Sequence, residues 1–273
     1  MRKEKLSVFD RYKRNINYLR ISVTDRCNLR CTYCMPEEGI RLLRHKDILT
    51  FDEICDFTKT AVAGGVTKVR ITGGEPLVRK GITILVGLIS EIEEIEDLSM
   101  TTNGVLLKQF ARELKSSGLQ RINISLDTVD PYKFTAITRG GSIFDVFDGI
   151  KAAREAGLFP IKINCVIKNS KEEEEAVAVA KFCVDNDLEI RYITQMDLIK
   201  GHFSTVVGGT GGNCALCNRL RLTANGKLKP CLFSNIEFDI RELGFEEALK
   251  LAAESKPECG STNDTGAFYN IGG

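Results

Sequence analysis

Short segments in which apolar and polar residues alternate recur between residues 18 and 196. In the first of them, Leu19, Ile21 and Val23 alternate with polar neighbours, and four of the six segments keep this period of two. Such a period is typical of β-strands. The pattern predicts strands at Tyr18–Val23, Lys68–Thr72, Leu98–Thr101, Arg121–Ser125, Ile161–Ile167 and Glu189–Ile193.

Longer stretches with helical periodicity separate these strands. They predict helices at Phe51–Ala63, Ile82–Glu94, Leu107–Ser117, Ile143–Ala156 and Glu172–Asn186. Six alternating strand and helix units indicate a parallel sheet with right-handed crossovers. Two architectures satisfy this order: an open doubly wound sheet and an incomplete TIM-like barrel.

The strand faces favour the barrel. Parallel strands that helices cover on both faces are apolar throughout, whereas four of these six have one polar face. We therefore expect an α/β fold, an incomplete TIM-like (βα)6 barrel with a polar lumen that holds a ligand. The alternative is an open sheet with one solvent-exposed face. Residues 1–198 would form the barrel and residues 199–273 a small C-terminal lobe that binds a second metal centre.

The polar strand faces carry cations. Arg20, Arg70 and Lys162 would project into the lumen, where burying a cation without a partner is costly. Guanidinium groups match phosphate oxygens in geometry and charge. A polyanion is therefore the expected ligand, although Asp127 is a candidate to neutralise one of the three cations.

The composition narrows the function classes. The chain of 273 residues has 38 Lys and Arg against 37 Asp and Glu, so no bulk positive field favours nucleic acid or an anionic membrane. The N-terminal residues lack the apolar region of a signal peptide, and no apolar run is long enough to cross a bilayer. We expect a cytoplasmic protein whose ten cysteines serve metal binding or catalysis rather than disulfides. Four of them stand alone and are expected in the core: Cys55, Cys165, Cys183 and Cys259.

The other six cysteines form two triplets. Cys27, Cys31 and Cys34 follow the first strand directly, as active residues of βα barrels do. Three thiolates can hold three corners of a 4Fe-4S cubane and leave one iron open for a small molecule. The alternatives are three incidental core cysteines or a zinc site that lacks one ligand.

The second strand ends in Thr72-Gly73-Gly74-Glu75-Pro76. Together with the first triplet, this run resembles the radical S-adenosylmethionine (radical SAM) superfamily, in which the open iron binds SAM and cleaves it reductively to a 5′-deoxyadenosyl radical. The resemblance assigns the methionine amino group to the glycine run at Gly74. It also assigns Ser125 to the ribose or carboxylate, Met196 to the adenine, and Tyr33 to the cluster or the adenine.

The second triplet is Cys214, Cys217 and Cys231. The Asn225-Gly226 dipeptide predicts a hairpin that brings Cys217 and Cys231 together. A structural zinc ion would require a fourth ligand, for which His202 and Cys259 are candidates. A second cubane with an open iron is the other interpretation, and the spacing alone does not decide between them.

Three stretches and the last three residues resemble the GTP 3′,8-cyclase family, also called molybdenum cofactor biosynthesis protein A. They are residues 19–36, 68–79, 217–233 and Ile271-Gly272-Gly273. The resemblance implies that the second triplet holds a second 4Fe-4S cluster whose open iron contacts the guanine. It implies GTP contacts from Arg20, Arg70, Thr101, Lys162, Arg219 and Arg221, and catalytic roles for Arg219, Arg221, Gly272 and Gly273.

The reaction that this resemblance implies begins with hydrogen abstraction from ribose C3′ of GTP. The carbon radical then attacks C8 of guanine and gives 3′,8-cyclo-7,8-dihydro-GTP for molybdenum cofactor biosynthesis. The implied cofactors are two 4Fe-4S clusters and SAM. The implied partners are an electron donor of the reductase, flavodoxin or ferredoxin type and a downstream cyclic pyranopterin synthase; the family also often forms homodimers.

One region departs from the family pattern. The segment between Met196 and Cys214 is much shorter than in the family, and residues 208–212 predict a flexible joint. Thr194 and Gln195 replace the family's Glu and Phe before Met196. Two other functions are therefore kept: a radical SAM modifier of a peptide or another small molecule that uses an auxiliary cluster, and a non-catalytic iron–sulfur electron carrier or sensor.

Overall fold

The computed structural model describes residues 8–265 and 268–271. In these residues nine strands form one sheet with the order β6-β5-β4-β3-β2-β1-β7-β8-β9. The strands are β1 Tyr18–Ser22, β2 Lys68–Thr72, β3 Asp97–Thr102, β4 Arg121–Ser125, β5 Ile161–Ile167, β6 Glu189–Thr194, β7 Arg219–Leu222, β8 Lys227–Lys229 and β9 Phe238–Asp239. The helices are α1 Phe51–Ala63, α2 Ile82–Ser90, α3 Leu107–Ser116, α4 Pro131–Thr138, α5 Ile143–Ala156, α6 Glu174–Asp185, α7 Ile240–Leu243, α8 Phe245–Glu254 and α9 Phe268–Ile271.

All six predicted strands and all five predicted helices are present with small shifts at their ends. Strands β1 to β6 are parallel, and the sheet stays open because β6 and β9 are its two edges. The prediction of an incomplete barrel is therefore confirmed. Helix α4 was not predicted, although Asp130 and Pro131 form a recognisable start: the Asp130 carboxylate accepts from the main-chain N–H groups of Tyr132 and Lys133.

The alternation along the strands separates two faces of the sheet. Leu19, Ile21 and Val69 are fully buried on the face that packs against the helices. Their polar neighbours lie on the opposite face, where the register aligns Arg20 with Arg70 of β2 and with Arg221 of β7. The face opposite the buried apolar one is therefore polar, as the alternation predicts.

The C-terminal strands continue the same sheet. Strand β7 pairs in parallel with β1, and β7, β8 and β9 then pair antiparallel. The predicted turn at Asn225-Gly226 joins β7 to β8, with Gly226 at a φ of 84°. The division into a barrel of residues 1–198 and a lobe of residues 199–273 stays a prediction.

A second apolar cluster joins the C-terminal segments. Leu198, Leu232, Phe233 and Ile271 are buried together, and the Phe203 ring stacks on Phe233 at 4.4 Å between centroids. Ile271 belongs to α9, so this cluster fastens α9 to the segment that follows β8.

Residues 204–212 form hydrogen-bonded turns where the sequence predicts a flexible joint. Val207 exchanges two main-chain hydrogen bonds with Tyr192 on the edge strand β6. Gly212 has a φ of 76°, and a Cβ atom there would lie 1.9 Å from the Ser204 carbonyl oxygen. These glycines therefore permit tight turns that tie the segment to the sheet edge.

Candidate active site

A cavity lies at the C-terminal ends of the parallel strands. Its volume is about 1150 Å³ when the open mouth is included. The first cysteine triplet lines it, and so do all four predicted SAM contacts: Tyr33, Gly74, Ser125 and Met196. Thr101, a predicted GTP contact, lines the same cavity.

The glycines at the end of β2 are required by a close approach of two loops. The Gly74 N–H donates to the Thr24 carbonyl at 2.7 Å, and the Glu75 N–H donates to the Arg26 carbonyl at 2.8 Å. A Cβ atom at Gly74 would lie 2.3 Å from the Arg26 carbonyl oxygen. The glycine run thus packs against the loop that leads into Cys27 and fixes where that loop begins.

Glu75 organises the next loop beside the cysteines. Its carboxylate accepts from Thr102 Oγ1 and from the Asn103 N–H, both at 2.7 Å. The Asn103 side chain in turn donates to Cys27 Sγ at 3.8 Å. Burial raises the pKa of Glu75 to about 7, although these donors favour its ionised form.

The first triplet suits a 4Fe-4S cluster. Burial raises the pKa of Cys27 and of Cys34 to about 11, and burial together with the neighbouring thiolates raises the pKa of Cys31 to about 12. Such thiols give up their protons when iron binds. Cys27 Sγ also accepts from the Leu29 N–H at 3.4 Å, the kind of contact that tunes a bound cluster. Leu29 and Met35 add apolar walls.

Tyr33 is held by a carboxyl group. Its hydroxyl donates to Asp127 Oδ2 at 2.8 Å, and the Val166 N–H donates to Asp127 Oδ1 at 2.8 Å. Burial raises the pKa of Asp127. Asp127 therefore positions Tyr33 beside the cavity. Within the described residues, its carboxylate accepts hydrogen bonds from Tyr33 and Val166 rather than from one of the cations that the sequence offered as its partner.

Arginines form a row across the polar face of the sheet. The register aligns Arg221, Arg20 and Arg70 on three adjacent strands, and Ser99 continues the row to Arg121 on β4. Burial lowers the pKa of Arg20 strongly, and the charge of Arg221 adds to this effect. Burial likewise lowers the pKa of Arg221 to about 10. The row therefore presents buried positive charge that an anionic ligand would stabilise.

Tyr18 lies between two of these cations. The guanidinium carbons of Arg70 and Arg219 lie 5.6 and 5.5 Å from the centre of its ring, within the range of cation–π contacts. Arg219 also donates to Thr210 Oγ1 at 2.7 Å, which fixes its head group at the end of the short 204–212 segment.

The structure adds two arginines that the sequence interpretation did not select. Arg121 pairs with Asp97 at 2.5 Å, and Arg191 contacts Asn123 Oδ1 at 3.5 Å. Their alternation with apolar residues was the available signal, but β6 is half exposed along most of its length and its alternation is weak. Within residues 8–265 and 268–271, four buried atoms on this face lack a hydrogen-bond partner: Tyr18 Oη, Thr101 Oγ1, Arg121 Nη1 and Arg191 Nε.

Lys162 lies on the same face but has an acidic partner. Its ammonium group forms an ion pair with Glu189 on the neighbouring strand β6. Asn123 on the other side is in register with it. A ligand that recruits Lys162 would compete with an exposed carboxylate.

The second triplet lies at the other end of the strands. Cys214 and Cys217 precede β7 and Cys231 follows β8, so the predicted hairpin brings them to one end. Because β7 is parallel to β1, this is the end opposite Cys27. Five strand residues at about 3.3 Å each separate the two ends by roughly 16 Å.

A buried lysine lies beside the second triplet and stabilises thiolate charge there. Lys256 Nζ donates to the carbonyls of Arg219 and Pro230 at 2.7 and 2.6 Å. Burial opposes ionisation of Cys217, but the charge of Lys256 and donors at Arg219 outweigh it and lower the pKa of Cys217. Burial raises the pKa of Cys231, against the charges of Lys256 and Arg221. These cations favour thiolates, as a metal centre requires.

A zinc ion and a 4Fe-4S cluster place different demands on the second triplet. In the described ranges, no set of three or more His, Cys, Asp or Glu side chains is grouped closely enough to hold one ion. A zinc ion needs four ligands at one point, whereas each thiolate of a cubane binds a different iron. Of the two candidate fourth ligands, Cys259 Sγ lies 3.0 Å from Cys214 Sγ, whereas His202 pairs through its backbone with Asp197.

Cys259 corrects one expectation. As a lone cysteine it is expected in the core, but its side chain is exposed. Cys55, Cys165 and Cys183 are buried as expected. Helix α8 ends before Lys256, so Cys259 lies on a surface loop rather than on a packed helix face.

The C-terminal tail reaches the first site. Phe268 and Tyr269 of α9 line the cavity that the first triplet lines. The predicted catalytic residues Gly272 and Gly273 lie outside the described residues. Ile271, the last residue described, is buried in the second apolar cluster.

Comparison with known proteins assigns the family. Residues 21–183 match the model of the radical SAM superfamily. The GTP 3′,8-cyclase of Thermodesulfovibrio yellowstonii is 44% identical over 280 aligned positions, which cover 86% of this chain and 87% of the relative. That of Peptoclostridium acidaminophilum is 43% identical, with 85% of each chain covered. The chain belongs to the GTP 3′,8-cyclase family. The predictions of the superfamily and of this family are confirmed.

Family membership implies a 4Fe-4S cluster and SAM, and the first triplet lies within the matched residues.

The relatives also support the predicted shortening of the chain. The alignment to the Thermodesulfovibrio cyclase has 280 positions, more than the 273 residues of this chain, although it covers only 86% of them. The relative therefore carries residues inside the aligned region that this chain lacks.

Solved structures support the fold. Streptococcus suis SuiB bound to precursor peptide SuiA matches 89% of this chain and 66% of its own, with a TM-score of 0.66 and 18% identity. Methylornithine synthase (PylB) matches 88% of this chain and 70% of its own, with a TM-score of 0.54 and 16% identity. At these identities the likeness concerns the fold, and the cyclase relatives do not favour the alternative of a peptide modifier.

None of the helices in the described residues has the length and apolar character needed to cross a membrane.

Proposed function

We propose that the protein converts GTP to 3′,8-cyclo-7,8-dihydro-GTP for molybdenum cofactor biosynthesis. One observation carries the proposal: two cysteine triplets lie at opposite ends of the adjacent strands β1 and β7, and buried arginines occupy the polar face between them. A ligand on that face would contact cations along its length and reach a metal centre at each end. A nucleoside triphosphate has the charge and the extended shape for such a site.

The residues of the first site have separate roles in this proposal. Cys27, Cys31 and Cys34 would hold the first 4Fe-4S cluster, which when bound supplies the electron that cleaves SAM to a 5′-deoxyadenosyl radical. Gly74 would accept the methionine amino group through its carbonyl. Tyr33, fixed by Asp127, would cover the cavity mouth.

Two further contacts to SAM complete the first site. Ser125 would contact the ribose or carboxylate, and Met196 the adenine; both line the cavity. Phe268 and Tyr269 form another apolar part of the wall and would exclude water from the reacting atoms. The tail residues Gly272 and Gly273 come three and four residues after Tyr269 in sequence, and this short separation supports their predicted catalytic role.

The polar face would bind the nucleotide. The triphosphate would be bound by Arg20, Arg70, Lys162, Arg219 and Arg221. The Thr101 hydroxyl, which is buried without a hydrogen-bond partner in the described residues, would form a hydrogen bond with the ligand. Arg219 and Arg221 alternate on β7, so their side chains share the polar face beside the second triplet. They would stabilise negative charge on the reacting nucleotide.

We assign a second 4Fe-4S cluster to Cys214, Cys217 and Cys231, with an open iron for the guanine. The support is the family resemblance together with the cationic surrounding of these thiols, which favours the thiolates that a cluster binds. An electron donor of the reductase, flavodoxin or ferredoxin type would reduce the first cluster. A cyclic pyranopterin synthase would use the product, and the protein would act in the cytoplasm, as a homodimer if it follows its family.

The test is anaerobic incubation of the reconstituted protein with GTP, SAM and a strong reductant. We expect one cyclised nucleotide for each 5′-deoxyadenosine, identified by mass spectrometry. Formation of 5′-deoxyadenosine with GTP left unconsumed would contradict the proposal. A binding measurement with GTP and ATP separates substrate choice from turnover, because a contact to the guanine base favours GTP whereas triphosphate contacts alone do not.

A further inference from the structure

The thiols of Cys214 and Cys259 are in direct contact. Cys259 Sγ donates a hydrogen bond to Cys214 Sγ across 3.0 Å, although 45 residues separate the two positions. A disulfide bond is about 2.05 Å long, so covalent closure of this contact needs only about 1 Å of sulfur movement. Cys259 is exposed and Cys214 half buried, so small oxidants can reach the pair.

A buried arginine holds the two cysteine segments together. Arg14 donates to the Cys214 carbonyl at 2.7 Å, to the Glu258 carbonyl at 3.0 Å and to the Pro257 carbonyl at 2.6 Å. Its own charge is paired with Asp10 at 2.5 Å in the interior. One guanidinium group therefore crosslinks the main chain at Cys214 with the two residues before Cys259. The contact between the thiols is built into the fold.

The rest of the loop is fixed against the same triplet. Lys256, at the start of the loop, is buried beside Cys217 and donates hydrogen bonds to the carbonyls of Arg219 and Pro230. Gly260, at its end, packs so closely that a Cβ atom would lie 3.1 Å from Cys231 Sγ. Both ends of the loop are anchored beside the triplet, and Cys214 Sγ is the thiol that Cys259 Sγ contacts directly.

We propose that Cys214 and Cys259 form a reversible disulfide when the second metal centre is absent, and that this disulfide withdraws Cys214 from the ligand set. The proposal goes beyond the cyclase reaction and holds whichever metal centre the second triplet binds. Exposed cysteines close to a metal site are prone to irreversible oxidation, which a reversible disulfide prevents.

The chemistry is thiol–disulfide exchange with a low-molecular-weight disulfide as the oxidant. One thiolate of the pair attacks the oxidant, forms a mixed disulfide and releases one small thiol. The second protein thiolate then attacks the protein sulfur of the mixed disulfide and releases the other small thiol. Two protein thiols are oxidised to one disulfide, the oxidant is reduced to two thiols, and each protein thiol passes its proton to solvent or to a released thiolate.

The experiment compares the full-length chain with and without its metal centres. The protein is treated anaerobically with oxidised glutathione, quenched by alkylation, digested without reductant and analysed by mass spectrometry. In metal-free protein we expect a Cys214–Cys259 linked peptide that exceeds any other linked pair by at least about tenfold and disappears with dithiothreitol. In the reconstituted protein the link should be absent until a chelator removes the metal.

Matched variants test whether the pair itself is responsible. Cys217→Ser removes a metal ligand but leaves the pair, so it should link as the wild type does. Cys259→Ser cannot form the link, and its Cys214 should instead remain with glutathione attached. Arg14→Lys should slow linking because the crosslink between the segments is shortened; its circular dichroism spectrum checks the fold.

Two results would overturn the proposal. One is a metal-free wild-type protein in which Cys214 and Cys259 stay unlinked at high oxidised glutathione. The other is linkage of Cys259 to Cys217 or Cys231 as often as to Cys214, because the anchored loop would then not select a partner. Both results are independent of GTP turnover, so failure of the cyclase proposal would not affect them.

Discussion

The two cysteine triplets have the same ligand atoms but opposite electrostatic surroundings. At the first, the charge of Glu75 adds to burial in raising the pKa of Cys27, and the charge of Asp127 does so for Cys31. At the second, Lys256 and Arg219 lower the pKa of Cys217 against the effect of burial. One triplet therefore lies among carboxyl groups and the other among cations.

This difference indicates which ligand each site can accept. A negative surrounding disfavours additional negative charge and suits a ligand with cationic groups, such as the sulfonium and ammonium of SAM. A positive surrounding suits a triphosphate. Two sites with the same thiols thus differ in specificity through residues that are not metal ligands.

The largest expected effect separates the two triplets. Cys31→Ser should abolish 5′-deoxyadenosine formation and lower the iron content of the reconstituted protein from about eight to about four per chain. Cys217→Ser should lower iron equally but keep SAM cleavage while it loses the cyclised product. Iron analysis gives the iron content of both variants, and chromatography gives their yields of 5′-deoxyadenosine and cyclised product. Equal loss of SAM cleavage in the two variants would contradict separate roles.

The next effect concerns the cations between the triplets. Arg221→Gln should weaken GTP binding by about 10- to 100-fold, because a hydrogen bond to a charged group contributes about 1.5–3 kcal/mol. SAM cleavage should persist without product. Isothermal titration with GTP and the ratio of 5′-deoxyadenosine to product measure both.

A matched control for that variant is Arg44→Gln. The Arg44 side chain is exposed and pairs with the Asp47 carboxylate at 2.7 Å. It should bind GTP as the wild type does. Comparable weakening in the two variants would mean that Arg221 acts through net charge rather than through contact.

A smaller effect is the order in which the free thiols react. In the metal-free protein, alkylation of Cys217 should begin at lower pH than alkylation of Cys27, Cys31 or Cys34, because a lowered pKa gives more thiolate at a given pH. Lys256→Met should move the Cys217 profile to higher pH. Mass spectrometry after a short pulse of iodoacetamide gives the profiles. A Cys217 profile that Lys256→Met leaves in place would exclude the lysine as the cause.

The smallest effect is a stability change at Glu75. Its pKa of about 7 in the folded chain lies above that of an unfolded Glu, so the folded state binds the proton more tightly. Stability should therefore fall as pH rises from about 4 to about 7, by up to about 3 kcal/mol. Glu75→Gln should remove this component, as measured by urea unfolding of the metal-free chain at several pH values. An unchanged pH dependence in the variant would assign the effect to other groups.

The strands and the first triplet were predictable because their signals are local. Period-two alternation reports which face of a strand is buried, and the β1 and β2 predictions differ from the structure by at most one residue. The predicted SAM contacts Tyr33, Gly74, Ser125 and Met196 line one cavity because parallel strands end at the same edge. Their assignment to particular atoms of SAM stays a prediction.

Other residues of the site gave no local signal. Arg14 lies before the first strand, Lys256 and Cys259 follow helix α8, and only long-range packing brings them to the second triplet. The expectation that Cys259 is buried was wrong, because a lone cysteine in sequence carries no information on its neighbours in space. Residues 208–212 were expected to form a flexible joint from their glycines, but the turns of segment 204–212 include main-chain hydrogen bonds to the edge strand β6.

The sequence by itself determined the open α/β barrel, the two cysteine triplets and the cations on the polar strand faces. It could do so because each rests on spacing within one strand or loop. Only the tertiary structure decided which charges surround each triplet, which thiol lies beside Cys214 and that the two sites occupy opposite ends of β1 and β7. Those properties depend on distances between segments far apart in the chain, and such distances are set by packing.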